Sequence, residues 1–261
     1  MKQIFENRVK GMLKEGKKTA GAWLQLCSPM TAEIMSRAGF DWLMIDMEHG
    51  PGDVLTLISQ LQAMNGSDTI PFVRAPWNDF VAIKRILDAG AYGIMIPYVN
   101  TKGDAEAAVK ACKYPPEGIR GIAGSPRAAG YGQNAKEYFA RANSEILVIV
   151  QIETAQAAAN IEEIMEVPGV DLVFIGPMDL ATSMGYLGNP NHPQVQHVIA
   201  GVERKAAKSK KALGTVSNNW EHAHELYGRG YQLITLMSDS VALGKMASDS
   251  VARFREAFPE G

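Results

Sequence analysis

The sequence predicts an α/β fold, a single (β/α)8 TIM barrel with an extra helix ahead of its first strand. Three observations predict it. Eight short β-type runs alternate with longer amphipathic segments along the 261 residues. Most of the runs are continuously apolar rather than alternating, as parallel strands covered on both faces are. Eight βα units in about 250 residues are also the arithmetic of such a barrel. A doubly wound open sheet is the rival, but none of the first strand-to-helix turns reads GxGxxG. No linker or break in composition divides the chain, so residues 1–261 read as one barrel domain.

The elements follow in order. An amphipathic helix over residues 2–15 precedes the first strand and is placed to plug the barrel's bottom. TAGAWLQL (19–26) is the first strand, and Ser28 then caps a helix with Pro29 at its first position. WLMIDMEH (42–49) and TIPFVRAP (69–76) are the second and third strands. Asn78-Asp79 opens the helix NDFVAIKRILDAG, which stops at Gly90. AYGIMIPY (91–98) is the fourth strand, followed by a helix that Thr101 opens. The stretch 114–133, rich in Gly, Pro and Arg, is a long irregular connection of the kind that is usually functional or mobile. ILVIVQIE (146–153) and DLVFIGPMD (171–179) are the fifth and sixth strands. Asn191 and Pro193 open a long helix to Lys211, and ALGTVS (212–217) and YQLITLMSD (231–239) complete the eight. Gly39, Gly90, Gly169 and Gly230 punctuate the helix-to-strand turns.

Composition narrows the function. The chain is 46% apolar and 21% charged, a globular balance with core enough to need no disulfide or structural metal. Its formal net charge of −2 and the absence of a basic stripe argue against nucleic acid as a partner. The basic run Lys205 to Lys211 reads as the solvated end of a helix. Cys27 and Cys112 have no CxxC spacing and read as reduced thiols. The first residues lack an apolar signal core, and no apolar run approaches bilayer length, so the expectation is a cytoplasmic protein with no membrane partner.

In a barrel the chemistry lies at the carboxyl ends of the strands. The polar residues ending the runs are Asp46-Met47-Glu48-His49, Arg74, Gln151-Ile152-Glu153, Asp179, Ser217-Asn218 and Ser238-Asp239. Glu153 and Asp179 end adjacent strands, and two carboxylates without thiolate or imidazole neighbours suit a hard cation such as Mg²⁺ or Mn²⁺. Helix caps or salt bridges are the plainer use of the same residues. His49 is the only histidine at a strand end and suits proton transfer, with Asp46 and Glu48 close enough to orient it. Arg74 ends an apolar strand, where its planar donors need either an anion or an ion pair with Asp46 or Glu48. Backbone N–H groups at the Gly176–Asp179 turn can receive a carboxylate. Trp23 and Trp77 stand near strand ends, as mouth lining or as core, and the Met-rich stretch around Met44 reads as core filler. No lysine ends a strand, so a Schiff-base aldolase lacks its nucleophile.

FDWLMIDMEHGP, VRAPWND with IKRILDAGA, YPPEGIRG, IVQIET and VDLVFIGPMDLATSMGYLGNPNHPQVQ together resemble the HpcH/HpaI aldolase family, from about residue 20 to 240. The resemblance implies a barrel of the phosphoenolpyruvate/pyruvate-binding type. It implies a metal-dependent, class II pyruvate aldolase that cleaves a 4-hydroxy-2-oxo acid reversibly to pyruvate and an aldehyde through a metal-stabilised enolate. It implies His49 as base, Arg74 as the enolate's counter-charge, Glu153 and Asp179 as metal ligands, and Gln151, Met178 and Asp179 as contacts of the keto acid. The metal would be Mg²⁺ or Mn²⁺, with Co²⁺ as an alternative. Asp88 matches an aspartate that raises the histidine's basicity, though its place at the end of a helix lets it reach a site only across a subunit contact. A homo-oligomer, hexameric with the last helix exchanged between neighbours, is implied with it. Met47, Met178 and the strand-eight run ITLMSDS depart from the family's usual residues near the aldehyde pocket. The rivals are a CoA-ester lyase of the citrate-lyase-β type and a non-catalytic binding barrel.

Overall fold

The computed structural model describes residues 5–209 and 211–259. Residues 2–4 of the N-terminal helix expected over 2–15, and Lys210 of the basic run, lie outside them. The first half of the chain runs α1 (Arg8–Lys14), β1 (Thr19–Leu24), α2 (Pro29–Ser36), β2 (Trp42–Asp46), α3 (Val54–Ala63), β3 (Ile70–Arg74), α4 (Phe80–Ala89), β4 (Gly93–Ile96) and α5 (Lys102–Cys112). The second runs α6 (Ala135–Glu145), β5 (Leu147–Ile152), α7 (Ala155–Ala159), α8 (Ile161–Glu166), β6 (Leu172–Ile175), α9 (Pro177–Ser183), α10 (Pro193–Ala206), β7 (Ala212–Val216), α11 (Trp220–Gly228), β8 (Leu233–Ser238) and α12 (Asp239–Ala257). A 3-10 turn over Arg127–Gly132 interrupts the expected long irregular stretch. The eight strands close in chain order, every pair parallel, with β8 returning to β1.

The apolar runs bury on two sides, as strands covered on both faces must. One set of side chains packs outward against the helices. The other fills the barrel with large rings and thioethers: Trp23, Trp42, Met44, Phe72, Met95 and Phe174. Small residues on neighbouring strands make room for them. A Cβ at Gly21 would come within 2.2 Å of the Trp42 ring, and one at Gly93 within 2.6 Å of Phe72. α1 closes the bottom, with Val9 and Leu13 joining the interior cluster. Its Lys10 ammonium donates to the Ile146 carbonyl at 2.7 Å and pairs with Asp171 at 2.8 Å.

Side-chain caps fix the loops at the opposite, functional face. Ser28, Asp53, Asp79, Thr101, Thr154 and Asn219 each accept a backbone N–H in the first turn of the following helix. Two expected boundaries move. α10 begins after His192, whose imidazole accepts from the Gln194 N–H and stacks on Tyr186, and it ends at Ala206 rather than Lys211. The chain then turns, with the Lys211 N–H donating to Ser209 Oγ and its ammonium to the Val167 and Val170 carbonyls. The sixth strand ends at Ile175, so Asp179 sits in the first turn of α9 instead of on the strand.

Candidate active site

Asp46 and Arg74 are the last residues of β2 and β3 and stand opposite each other in register. That register lets the guanidinium grip the carboxylate twice: Nε to Oδ1 at 2.9 Å and Nη2 to Oδ2 at 2.6 Å. Arg74 Nη1 also lies 3.0 Å from Glu48 Oε2, an ion pair whose angle falls outside hydrogen-bond geometry. From below, the guanidinium rests on the Trp23 ring, 4.4 Å from its centroid. Of the two readings open for Trp23, core is the one observed, at 7% exposure. Burial pushes the Asp46 carboxyl up, but the Arg74 hydrogen bonds and charge, with a bond from Gln25, outweigh it and hold Asp46 below the ordinary range. Burial lifts Glu48, Asp46 and Asp179 add to the lift, and Arg74 and His49 oppose it.

His49 lies three residues beyond β2, exposed at the rim. Its backbone N–H donates to Asp46 Oδ1 at 3.3 Å, while its imidazole takes no hydrogen-bond partner among the described residues. Asp46 thus touches His49 through the backbone and not at the ring; its oxygens otherwise accept from Arg74, Gln25 Nε2 and the Glu48 N–H.

Residues two apart on a strand face the same way, so Gln151 and Glu153 both project toward the mouth at the end of β5. Gln151 Nε2 donates to Glu153 Oε2 in a short bond, and Gln151 Oε1 is buried without a partner. Glu153 is 1% exposed, and its Oε1 accepts the Tyr98 N–H at 2.7 Å. Burial drives its carboxyl up to about 7. The Tyr98 bond and Arg74 act against this, and the negative charges of Glu48 and Asp179 act with it. Gly176 leaves the space beside it open: a Cβ there would meet Gln151 Nε2 at 3.0 Å and Glu153 Oε2 at 3.1 Å. Met178, at the start of α9, is half exposed.

Asp88 lies apart from this ring. It lies in the last turn of α4 in an ion pair with Arg120 at 2.7 Å, and the buried Arg120 guanidinium also lies over the rings of Tyr114 and Tyr138. In its own chain it belongs to the helical layer, as its position in ILDAG implies.

Two contributors escaped the sequence reading. Gln25, just past β1, donates Nε2 to Asp46 Oδ2 at 3.2 Å and accepts from Ser238 Oγ at 2.9 Å, tying β1, β2 and β8 together. Tyr98, just past β4, holds Glu153 through its backbone. The polar ends of the first and fourth runs, TAGAWLQL and AYGIMIPY, carried the signal for both.

The HpcH/HpaI aldolase/citrate lyase family profile matches residues 19–244. The chain belongs to that family. A 5-keto-4-deoxy-D-glucarate aldolase of Shigella boydii is 42% identical over 236 residues, covering 90% of this chain and 91% of the relative. A 4-hydroxy-2-oxo-heptane-1,7-dioate aldolase of Escherichia coli is 41% identical over 250 residues, covering 96% and 95%. The crystal structure of an HpcH/HpaI aldolase/citrate lyase family protein from Burkholderia cenocepacia superposes with a TM-score of 0.92 at 38% identity, covering 95% of this chain and 99% of that one. Membership of the HpcH/HpaI family makes the chain a carbon–carbon lyase of the aldolase type.

HpcH/HpaI aldolases generally depend on a divalent metal, and the residues present fit one. Glu153 is a buried carboxylate held among other negative charges, beside an unpartnered amide oxygen and a glycine that leaves space. A cation would neutralise that site. Among the described residues, no three or more His, Cys, Asp or Glu side chains gather as a closed metal site.

Proposed function

We propose that the chain is a divalent-metal-dependent pyruvate aldolase, reversibly cleaving a 4-hydroxy-2-oxo acid to pyruvate and an aldehyde. The observation that carries the reading is the buried Glu153 carboxylate at the end of β5, with the unpartnered Gln151 oxygen on the same strand end and the Arg74 guanidinium held in place by Asp46 and Glu48. Glu153 and Asp179 would hold Mg²⁺ or Mn²⁺, with Co²⁺ as a substitute. When bound, the metal supplies a Lewis acid that polarises the keto acid and favours its enolate.

The chain's own residues do the rest. Arg74 cannot swing, since it is gripped by two carboxylates and supported by an indole ring. A fixed charge of this kind stabilises an oxyanion without reorganising as it forms. Asp46 is thus a positioning residue, and Gln25 positions Asp46. His49, exposed and with no hydrogen bond to its imidazole among the described residues, takes the C4 hydroxyl proton during cleavage and returns it in addition. The buried oxygen of Gln151 and the start of α9 at Met178 border the keto acid. We assign Asp88 to the partner's side of a subunit contact. A homo-oligomer, a hexamer by resemblance, is supported by the apolar side chains that α12 exposes. Cytoplasmic residence is part of the same proposal; no helix among the described residues is long and apolar enough to cross a membrane.

The test is pyruvate release from a 4-hydroxy-2-oxo diacid. Chelator should abolish it, and Mg²⁺ or Mn²⁺ should restore it. Release that survives exhaustive chelation refutes the metal-dependent reading.

A further inference from the structure

Two large aromatic side chains stand exposed on the same rim and have no part in the charge and proton chemistry above. Trp77 lies three residues beyond Arg74 and is 54% exposed, and Tyr98 lies two residues beyond β4 and is 41% exposed. Their ring centroids are 5.4 Å apart, with planes tilted by 33°. Of the two readings open for Trp77, mouth lining is the one observed.

The pair is held, not adrift. Tyr98 has a left-handed backbone, φ 53°, uncommon for a bulky residue and kept only where the surroundings over-determine it. Here they do: its N–H is bound by Glu153 and its carbonyl accepts from Asn100 Nδ2 at 3.2 Å. Asn78, next to Trp77, donates to the Asp104 carbonyl at 3.0 Å, and Asp104 completes the capping box that starts α5. The loop carrying Trp77 is therefore tied to the loop carrying Tyr98. The Tyr98 N–H on Glu153 Oε1, at 2.7 Å, fixes the residue that carries this ring directly beside that carboxylate. A preorganised aromatic surface thus borders the anionic site on its β3–β4 side.

We propose that Trp77 and Tyr98 form the platform for the aldehyde half of the substrate and favour aldehydes with a flat or C–H-rich face over small hydroxylated ones. The inference rests on the pyruvate aldolase reading, which places the keto-acid half at Glu153 and Asp179. The keto acid needs oxygen ligands and a cation; the rim beside it offers π-faces, which select by stacking rather than by hydrogen bonding.

The experiment compares wild type, Trp77→Ala and Trp77→Phe in aldol addition of pyruvate to benzaldehyde and to glycolaldehyde. Exchange of pyruvate methyl protons with solvent, measured on each preparation, reports the intact keto-acid site and normalises the rates. The ratio of kcat/KM for benzaldehyde to that for glycolaldehyde should fall roughly three- to tenfold in Trp77→Ala, the scale of one aromatic pair, and largely recover in Trp77→Phe. An unchanged ratio in Trp77→Ala overturns the inference while leaving the aldolase reading intact. So does a wild type that accepts glycolaldehyde but not benzaldehyde, or a Trp77→Ala protein whose only change is its oligomeric mass. A wild type that exchanges no pyruvate protons fails the aldolase reading, and the platform with it.

Discussion

At the scale of single residues, the site is a contest between burial and charge, and Arg74 decides it. One guanidinium serves Asp46 and Glu48, and among the described residues Glu153 has no ion-pair partner of its own. If Arg74 acts on an oxyanion that forms only as the bond breaks, its loss belongs in kcat. Arg74→Ala should lower kcat about 10²-fold or more, with a smaller change in KM, by steady-state cleavage assays. A pure KM effect would make it a uniform substrate binder. Asp46 carries a pH signature. Its folded pKa is depressed, so its stabilisation is fully present above the pKa of the unfolded carboxyl. It is lost as pH falls from about 4 through the folded value. Asp46→Asn should therefore be less stable than wild type at neutral pH, and the difference should shrink in denaturant titrations below about pH 4. A constant difference across that window would assign Asp46's role to packing alone.

At the scale of elements, the barrel interior depends on pairing small residues with large ones, and on α1 as a plug. Gly21 faces Trp42 across the β1–β2 register, and there is no room for a methyl group. Gly21→Ala should cost about 1–3 kcal/mol in urea unfolding, the range for overpacking. Lys10→Met should cost about 3 kcal/mol, since it removes the ammonium from the mostly buried Asp171 carboxylate and leaves it the Val148 N–H alone. All eight strands were legible in the sequence because covered parallel strands need continuous apolar runs, and the caps were legible because Ser, Asp and Thr precede the helices they start. The mouth was less legible. Asp179 read as a strand end, because Gly176-Pro177 starts a helix within the same apolar run. For Asp46 the sequence left two uses open, orienting the His49 ring or pairing with Arg74, and only the β2–β3 register, which sets Asp46 opposite Arg74, picks the second for its side chain. Gln25 and Tyr98 act through contacts 21 and 55 residues distant, which only closure of the barrel brings together.

At the scale of the whole molecule, α12 is the exception to the packing of the other helices. Asp239 is its only buried residue, and Val241, Leu243, Met246, Val251 and Phe254 face outward. Exposed apolar area of this kind marks an interaction surface. Leu243→Asp combined with Phe254→Asp should lower the native mass in light scattering while leaving the far-ultraviolet circular dichroism of the barrel unchanged. An unaltered mass would separate α12 from assembly.

The central claim is that the rim of this barrel makes a pyruvate enolate at Glu153 and Asp179. The most direct measurement is the exchange of pyruvate methyl protons with deuterated solvent, followed by proton magnetic resonance with no aldehyde present. The account predicts exchange with Mg²⁺ or Mn²⁺, none after chelation, and loss in Glu153→Gln that added metal restores only in part. Exchange that is indifferent to chelator and to Glu153→Gln would contradict it.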